Sequence, residues 1–239
     1  MRRYAVPAAA AAALFVMGFI APPAVSAQQS ITLSIGGFVP NAAEGRPRND
    51  VLVNNLNTLI FEMKDFNGPD VNAEWLVALG NHIEAGLGVG RYARTSPTVY
   101  RSFTNSNGSE IEQDLKLRII PFTATMRLLP LGRRSGFQPY VGGGAGVLRY
   151  RYSESGDFID FSDRSIFHDA GGFIGEGTAT GPVILGGVRF KLDSVDVGLE
   201  ARHQSGNGDL PTKPPEGPFA GTQIDLGGMS YLMTFNIRF

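Results

Sequence analysis

Apolar and polar side chains alternate along much of this chain, most plainly in its last nine residues, YLMTFNIRF. In an extended strand, Tyr231, Met233, Phe235, Ile237 and Phe239 share one side, opposite Leu232, Thr234, Asn236 and Arg238. The same period of two predicts strands over Ser30–Val39, Val71–Leu79, Ile83–Thr95, Asp114–Leu128, Gln138–Tyr152, Thr180–Leu192, Val195–Ser205 and Gly221–Phe239. Each is at or above the ~9–11 residues a tilted strand needs to cross a bilayer. Within Pro40–Asp70, the apolar residues Val51, Leu52, Leu56, Leu59, Ile60 and Met63 fit either a short loop helix or an extension of the second strand.

The connections alternate in length. Tight turns fall at Gly80–His82, Pro130–Gly136 and Asp193–Ser194, and long polar segments at Pro40–Asp70, Ser96–Gln113, Ser153–Ala179 and Gly206–Ala220. Short turns on one side and long loops on the other, with about eight strands, predict an all-β fold. The expected form is a closed antiparallel transmembrane β-barrel with short periplasmic turns and long extracellular loops.

Composition is consistent with that reading. The basic Met1-Arg2-Arg3, the uncharged run Ala8–Ile20 and the small residues Val25-Ser26-Ala27 have the pattern of a signal peptide over residues 1–27, leaving 28–239 as the barrel domain. Its removal takes the basic count from 21 to 19 against 22 acidic residues, a balance that points away from nucleic acid. There is no cysteine, so no disulfide framework supports the exported chain. After residue 27 no apolar run approaches 18 residues, so a membrane crossing falls to strands.

Parity then assigns faces. Val195, Val197, Leu199 and Ala201 oppose Asp196, Gly198, Glu200, Arg202 and Gln204, and Ile184, Val188, Phe190 and Leu192 oppose Arg189 and Lys191. In lipid the apolar face turns outward and the charges are enclosed. Asp114–Leu128 breaks the rule, because Lys116 and Arg118 share parity with Phe122, Ala124 and Met126; a bulge at Ile119-Ile120-Pro121 would restore it. Arg91, on the parity of Leu87 and Val89, is a second misfit, placed at an outer rim within reach of lipid phosphates. The expected lumen set is Glu74, Glu84, Arg94, Lys116, Arg118, Arg127, Arg149, Arg151, Arg189, Lys191, Asp196, Glu200 and Arg202. A barrel of this size is just wide enough for side chains to fill, so the set is read as an internal ion-pair network or, alternatively, a narrow gated channel.

Other motifs carry less. Gly142-Gly143-Gly144-Ala145-Gly146 precedes an alternating strand, not a helix whose N-terminus could hold a phosphate, and is read as making room for lumen side chains or strong coiling. Tyr140 and Tyr150 are assigned to two interfacial aromatic belts. Asp157, Asp160 and Asp163 lack calcium-loop spacing, and no metal site is expected. Phe158, Phe161, Phe167 and Phe173 either line a site for an apolar ligand or pack their loop on the rim. His203 and Ser205, two apart on the lipid side, resemble the His-x-Ser signature of outer-membrane lipid A deacylases, with Glu216 or Asp225 as the orienting acid. Gly206 stands where those enzymes have Asn, and the alternative is a pair of interfacial polar residues.

Leu33–Pro40, Ala73–Val77, Ile83–Gly90, Ile120–Thr125, Pro139–Gly144 and Ile224–Gly228 together resemble the bacterial outer-membrane β-barrel domain proteins, similar to the OmpA and OmpW barrels of Gram-negative bacteria. The resemblance implies no cofactor, and the reading as a whole is a small monomeric barrel of the outer membrane, either structural or a porin-like narrow pore for small, apolar solutes. Its partners would be outer-membrane lipid, lipopolysaccharide and the barrel assembly machinery. It also implies that Tyr231, Met233, Phe235, Ile237 and Phe239 form the barrel insertion signal.

Overall fold

The computed structural model describes residues 28–192, 195–211 and 219–239; the expected signal peptide and the turn at Asp193–Ser194 lie outside the described residues. Eight strands form the wall: β1 (Gln29–Pro40), β2 (Gly68–Ala78), β3 (Ile83–Thr104), β4 (Glu110–Leu128), β5 (Phe137–Ile159), β6 (Ile166–Leu192), β7 (Val195–Gln204) and β8 (Gly228–Arg238). Each pairs antiparallel with its neighbour in sequence, and β8 pairs back onto β1 through Leu33↔Phe235 and Ile31↔Ile237. The ring is closed and leaves no open edge.

The strands are longer than the alternation predicts. Ser96–Gln113 is mostly ladder, because β3 runs to Thr104 and β4 begins at Glu110, and most of Ser153–Ala179 belongs to β5 and β6. These segments look polar because their outward residues meet water, as Glu112, Asp114 and Lys116 do, while Ile111, Leu115 and Leu117 are buried inside. The last strand starts at Gly228 rather than Gly221; Gln223–Asp225 instead pairs with Asn207–Asp209 in a two-stranded ribbon. In the first long loop, α1 (Val51–Asn55) ends after little more than one turn, and Leu59–Ile60 pairs with Val99 and Tyr100 of β3.

The expected bulge at Pro121 is absent. Arg118↔Arg151, Ile119↔Tyr150, Ile120↔Arg149, Pro121↔Leu148 and Phe122↔Val147 follow without a skip, and β3 keeps one register across the proline through Val89↔Phe122 and Tyr92↔Ile119. What changes at Pro121 is polarity. Below it, Phe122, Met126 and Leu128 are exposed on the outside, with Thr123, Thr125 and Arg127 buried within. Above it, Leu115, Leu117 and Ile119 are buried within, and Lys116 is exposed outside. Neighbouring strands switch at the same level, between Val89 and Arg91 on β3 and between Val147 and Arg149 on β5.

The switch has a simple cause. The exterior apolar band on β5 runs from Phe137 to Val147. Ten residue steps on a strand tilted about 40° rise about 25 Å, the height of a lipid-facing belt. Beyond it β3–β6 stand in water, where the ordinary arrangement returns: apolar residues inside, charges outside. Register irregularities occur higher up, between Val99 and Thr104 on β3 and between Glu154 and Gly156 on β5, where β6 bulges beside Gly172 at a φ of 66°.

Candidate functional site

The lower lumen is filled by a connected ion-pair network. Arg127 on β4 donates from Nη2 to Glu74 of β2 and, at 2.9 Å, to Glu200 Oε2 of β7. Arg202 reaches the same two carboxylates, Glu74 Oε2 at 3.1 Å and Glu200 Oε1 at 2.9 Å. The hydroxyls of Thr125 and Tyr140 complete the pair, donating to Glu74 at 2.7 Å and Glu200 at 2.9 Å. The guanidiniums of Arg127 and Arg189 both lie over the Tyr140 ring, 4.9 and 5.0 Å from its centre. Nearer the short turns, Glu84 binds Arg189 at 2.5 Å and Arg133 at 2.9 Å, and Asp196 binds Arg238 at 3.0 Å. Carboxylates and guanidiniums thus alternate across the bore, so each buried charge faces an opposite one and the desolvation cost of several kcal/mol per ion is offset.

Glycines leave the room this network occupies. A Cβ on Gly86 would lie 2.5 Å from Glu74 Oε1, and one on Gly187 would lie 2.6 Å from the Tyr140 hydroxyl.

Of the expected lumen set, Glu74, Glu84, Arg127, Arg189, Asp196, Glu200 and Arg202 are buried in the bore. The others are corrected. Lys116, Arg118, Arg149 and Arg151 lie on the outer face above the belt, where the parity that points outward meets water; Arg118 there is half-buried. Arg94 is exposed and donates to the Asp65 carbonyl at 2.9 Å, and Lys191 is exposed at the short-turn rim. Tyr140 and Tyr150 are buried in the interior, Tyr150 donating to the Asp209 carbonyl, so neither belongs to an aromatic belt. The shared parity of Tyr140 with Gly142, Gly144 and Gly146 is the sequence signal for its inward position, and the opposite parity sends Arg149 outward.

In the upper storey the described loop residues pack over the strands. Asp50 caps α1 by accepting from the Leu52 and Val53 amides, pairs with Arg46 at 3.1 Å, and accepts from the Asp225 amide at 2.6 Å. This latches the first loop onto the ribbon strand, and Val51, Leu52 and Phe66 pack with Leu115, Leu117 and Ile224 over the mouth. Beside this plug is a cavity of about 460 Å³ lined by Asn55, Leu59, Tyr100, Glu154, Phe158, Phe161, Phe167 and Phe173. Phe158 packs against Phe167 and Phe173 at 5.5 and 4.8 Å. At the cavity's inner side, Glu154 Oε1 accepts from Asn55 Nδ2 at 2.7 Å and from the Tyr152 hydroxyl at 2.8 Å. Glu154 and Asn55 escape sequence reasoning because they sit in segments read as polar loops.

No hydrogen bond among the described residues joins His203 to Ser205; the Asp225 carboxylate is engaged by Asn41 and the Gly227 amide, and Glu216 lies outside the described residues. Asp160 and Asp163 hold their own loop through the Ser162 and Ser165 amides, and Asp157 meets His168 at 2.7 Å. Among the described residues, no group of three or more potential metal ligands occurs.

Compared by sequence, the chain matches no protein-family model and no curated protein. Compared by structure, it is similar to neisserial surface protein A, at 13% identity and a TM-score of 0.46 over 89% of this chain and 97% of that one. It is also similar to Ail, the attachment invasion locus protein of Yersinia pestis in complex with the heparin analogue sucrose octasulfate. The identity there is 10% and the TM-score 0.41, over 89% and 99% of the chains. Outer membrane protein W of E. coli is similar at 14% identity and a TM-score of 0.40, over 90% and 100%. The eight-stranded fold itself rests on the closed ladder of this chain.

Proposed function

We propose that this chain is a small monomeric outer-membrane barrel with a structural, non-enzymatic role, closed to solutes through its centre. The observation that carries the reading is the network of Arg127, Glu74, Glu200 and Arg202, whose members bond across a bore that eight strands keep narrow. The loop plug above it supports the same conclusion. The exterior apolar band supports a position in lipid, and the polar collar above it is where lipopolysaccharide would be met. The outward residues of β8, Tyr231, Met233, Phe235 and Ile237, together with Phe239 just beyond it, are the segment we assign to recognition by the assembly machinery.

The test is conductance. Purified protein in planar bilayers is expected to leave the current at baseline, and reproducible single-channel steps would overturn the closed reading. Deleting Phe239 is expected to abolish the heat-shifted gel band of the folded barrel in cells; an unchanged band would remove that residue from the insertion signal.

A further inference from the structure

We propose that the cavity beside the plug is a binding site for a small hydrophobic cation, an aromatic or alkyl primary amine, with Glu154 as its counter-ion. Its volume, about 460 Å³, lies in the range of small-molecule sites. Its walls carry the rings of Tyr100, Phe158, Phe161, Phe167 and Phe173, and Phe158 touches both Phe167 and Phe173. Such faces attract an ammonium group as well as an apolar body.

The second, independent observation is the state of Glu154. It is 94% buried (6% exposed) and forms no ion pair among the described residues. Its two hydrogen bonds, from Asn55 and Tyr152, both end on Oε1 and both come from neutral groups. Oε2 receives none among the described residues, on a side chain that lines the cavity. The buried carboxylates of the lower lumen are arranged differently: Glu74, Glu84, Asp196 and Glu200 each face an arginine at hydrogen-bonding distance. A buried carboxylate without a counter-charge is costly, and an ammonium entering this cavity would supply one. A carboxylate ligand would be repelled by Glu154, and a neutral alcohol would gain the aromatic contacts without the ion pair.

The experiment uses the processed chain in lipid nanodiscs, titrated calorimetrically at pH 8 with phenethylamine, 2-phenylethanol and 3-phenylpropionate, with empty nanodiscs as the blank. Saturable one-to-one binding of the amine, about tenfold or more tighter than the alcohol, with no binding of the carboxylate, is the expected result. In Glu154→Gln the preference for amine over alcohol should fall to within about twofold. An amine bound no tighter than the alcohol, amine binding indistinguishable from empty nanodiscs, or an unchanged preference in Glu154→Gln would overturn the proposal. Should Glu154→Gln lack the heat-shifted band of a folded barrel, the three-probe comparison on the wild type decides by itself.

Discussion

Arg127 and Glu200, 73 residues apart in sequence, meet at 2.9 Å inside the barrel, and Glu200 also accepts from Tyr140. Neither side chain reaches water, so each depends on the other's charge. Replacing Arg127 with Met leaves two carboxylates to share Arg202 and is expected to cost about 3–5 kcal/mol. Adding Glu74→Gln, which leaves Glu200 and Arg202 as a balanced pair, should recover part of that loss. Urea unfolding in phospholipid vesicles measures both steps.

The polarity switch at Pro121 sets the cost of a charge on the outer face of β4. Ala124→Arg places a guanidinium inside the apolar band and should destabilise by about 2–4 kcal/mol. Ile120→Arg, paired beside Arg149, should cost about 0–1 kcal/mol. Equal costs in the same vesicle assay would place the belt elsewhere.

Adjacent glycines on β5 should respond differently to a methyl group. At Gly144 a Cβ would lie 1.9 Å from the Ala124 carbonyl oxygen, a backbone atom that cannot swing away, whereas at Gly143 the nearest neighbour is 3.4 Å off. Gly144→Ala is expected to lose about 1–3 kcal/mol or fail to fold, and Gly143→Ala to fold normally, both read from the heat-shifted gel band.

Asp50 is the latch of the plug. Asp50→Ala removes a helix cap worth about 1 kcal/mol and leaves buried Arg46 unpaired, a further cost of about 3–5 kcal/mol. Amide exchange over residues 41–67 should accelerate while the ladder between β1 and β8 stays protected. Faster exchange throughout the barrel would show that the loop is not a separate unit.

Burial raises the pKa of Glu154, so the folded state holds its proton more tightly than the unfolded chain. Its stabilising contribution is full below the ordinary carboxylate pKa and is lost as pH rises through the raised value. The other titratable groups around it are Tyr152, whose phenol burial and Glu154 push well above its usual range, Tyr100, also raised by burial, and Asp160 at the rim. Glu154→Gln should therefore match wild type near pH 4 and exceed it in urea midpoint at neutral pH. A difference independent of pH would exclude this titration.

The strand count, the pairing of last strand with first, and the inward set Glu74, Glu84, Arg127, Arg189, Asp196, Glu200 and Arg202 were legible because alternation within the belt carries one meaning: apolar out, polar in. The positions of Lys116, Arg118, Arg149, Arg151, Tyr140 and Tyr150 were not. Alternation reports that two faces differ, not which face meets lipid, and above Pro121 the same period of two has the opposite sense.

What the sequence determined by itself is a set of eight amphipathic strands and the turns that separate them, because strand periodicity and turn chemistry are local. Only the tertiary structure decided where the solvent changes from lipid to water along those strands, which carboxylate each arginine reaches, and that Glu154 lies buried without a cation among the described residues. Those outcomes depend on strand register and on loops folding back over the ring. Both bring together residues far apart in the chain, whose contacts no local pattern encodes.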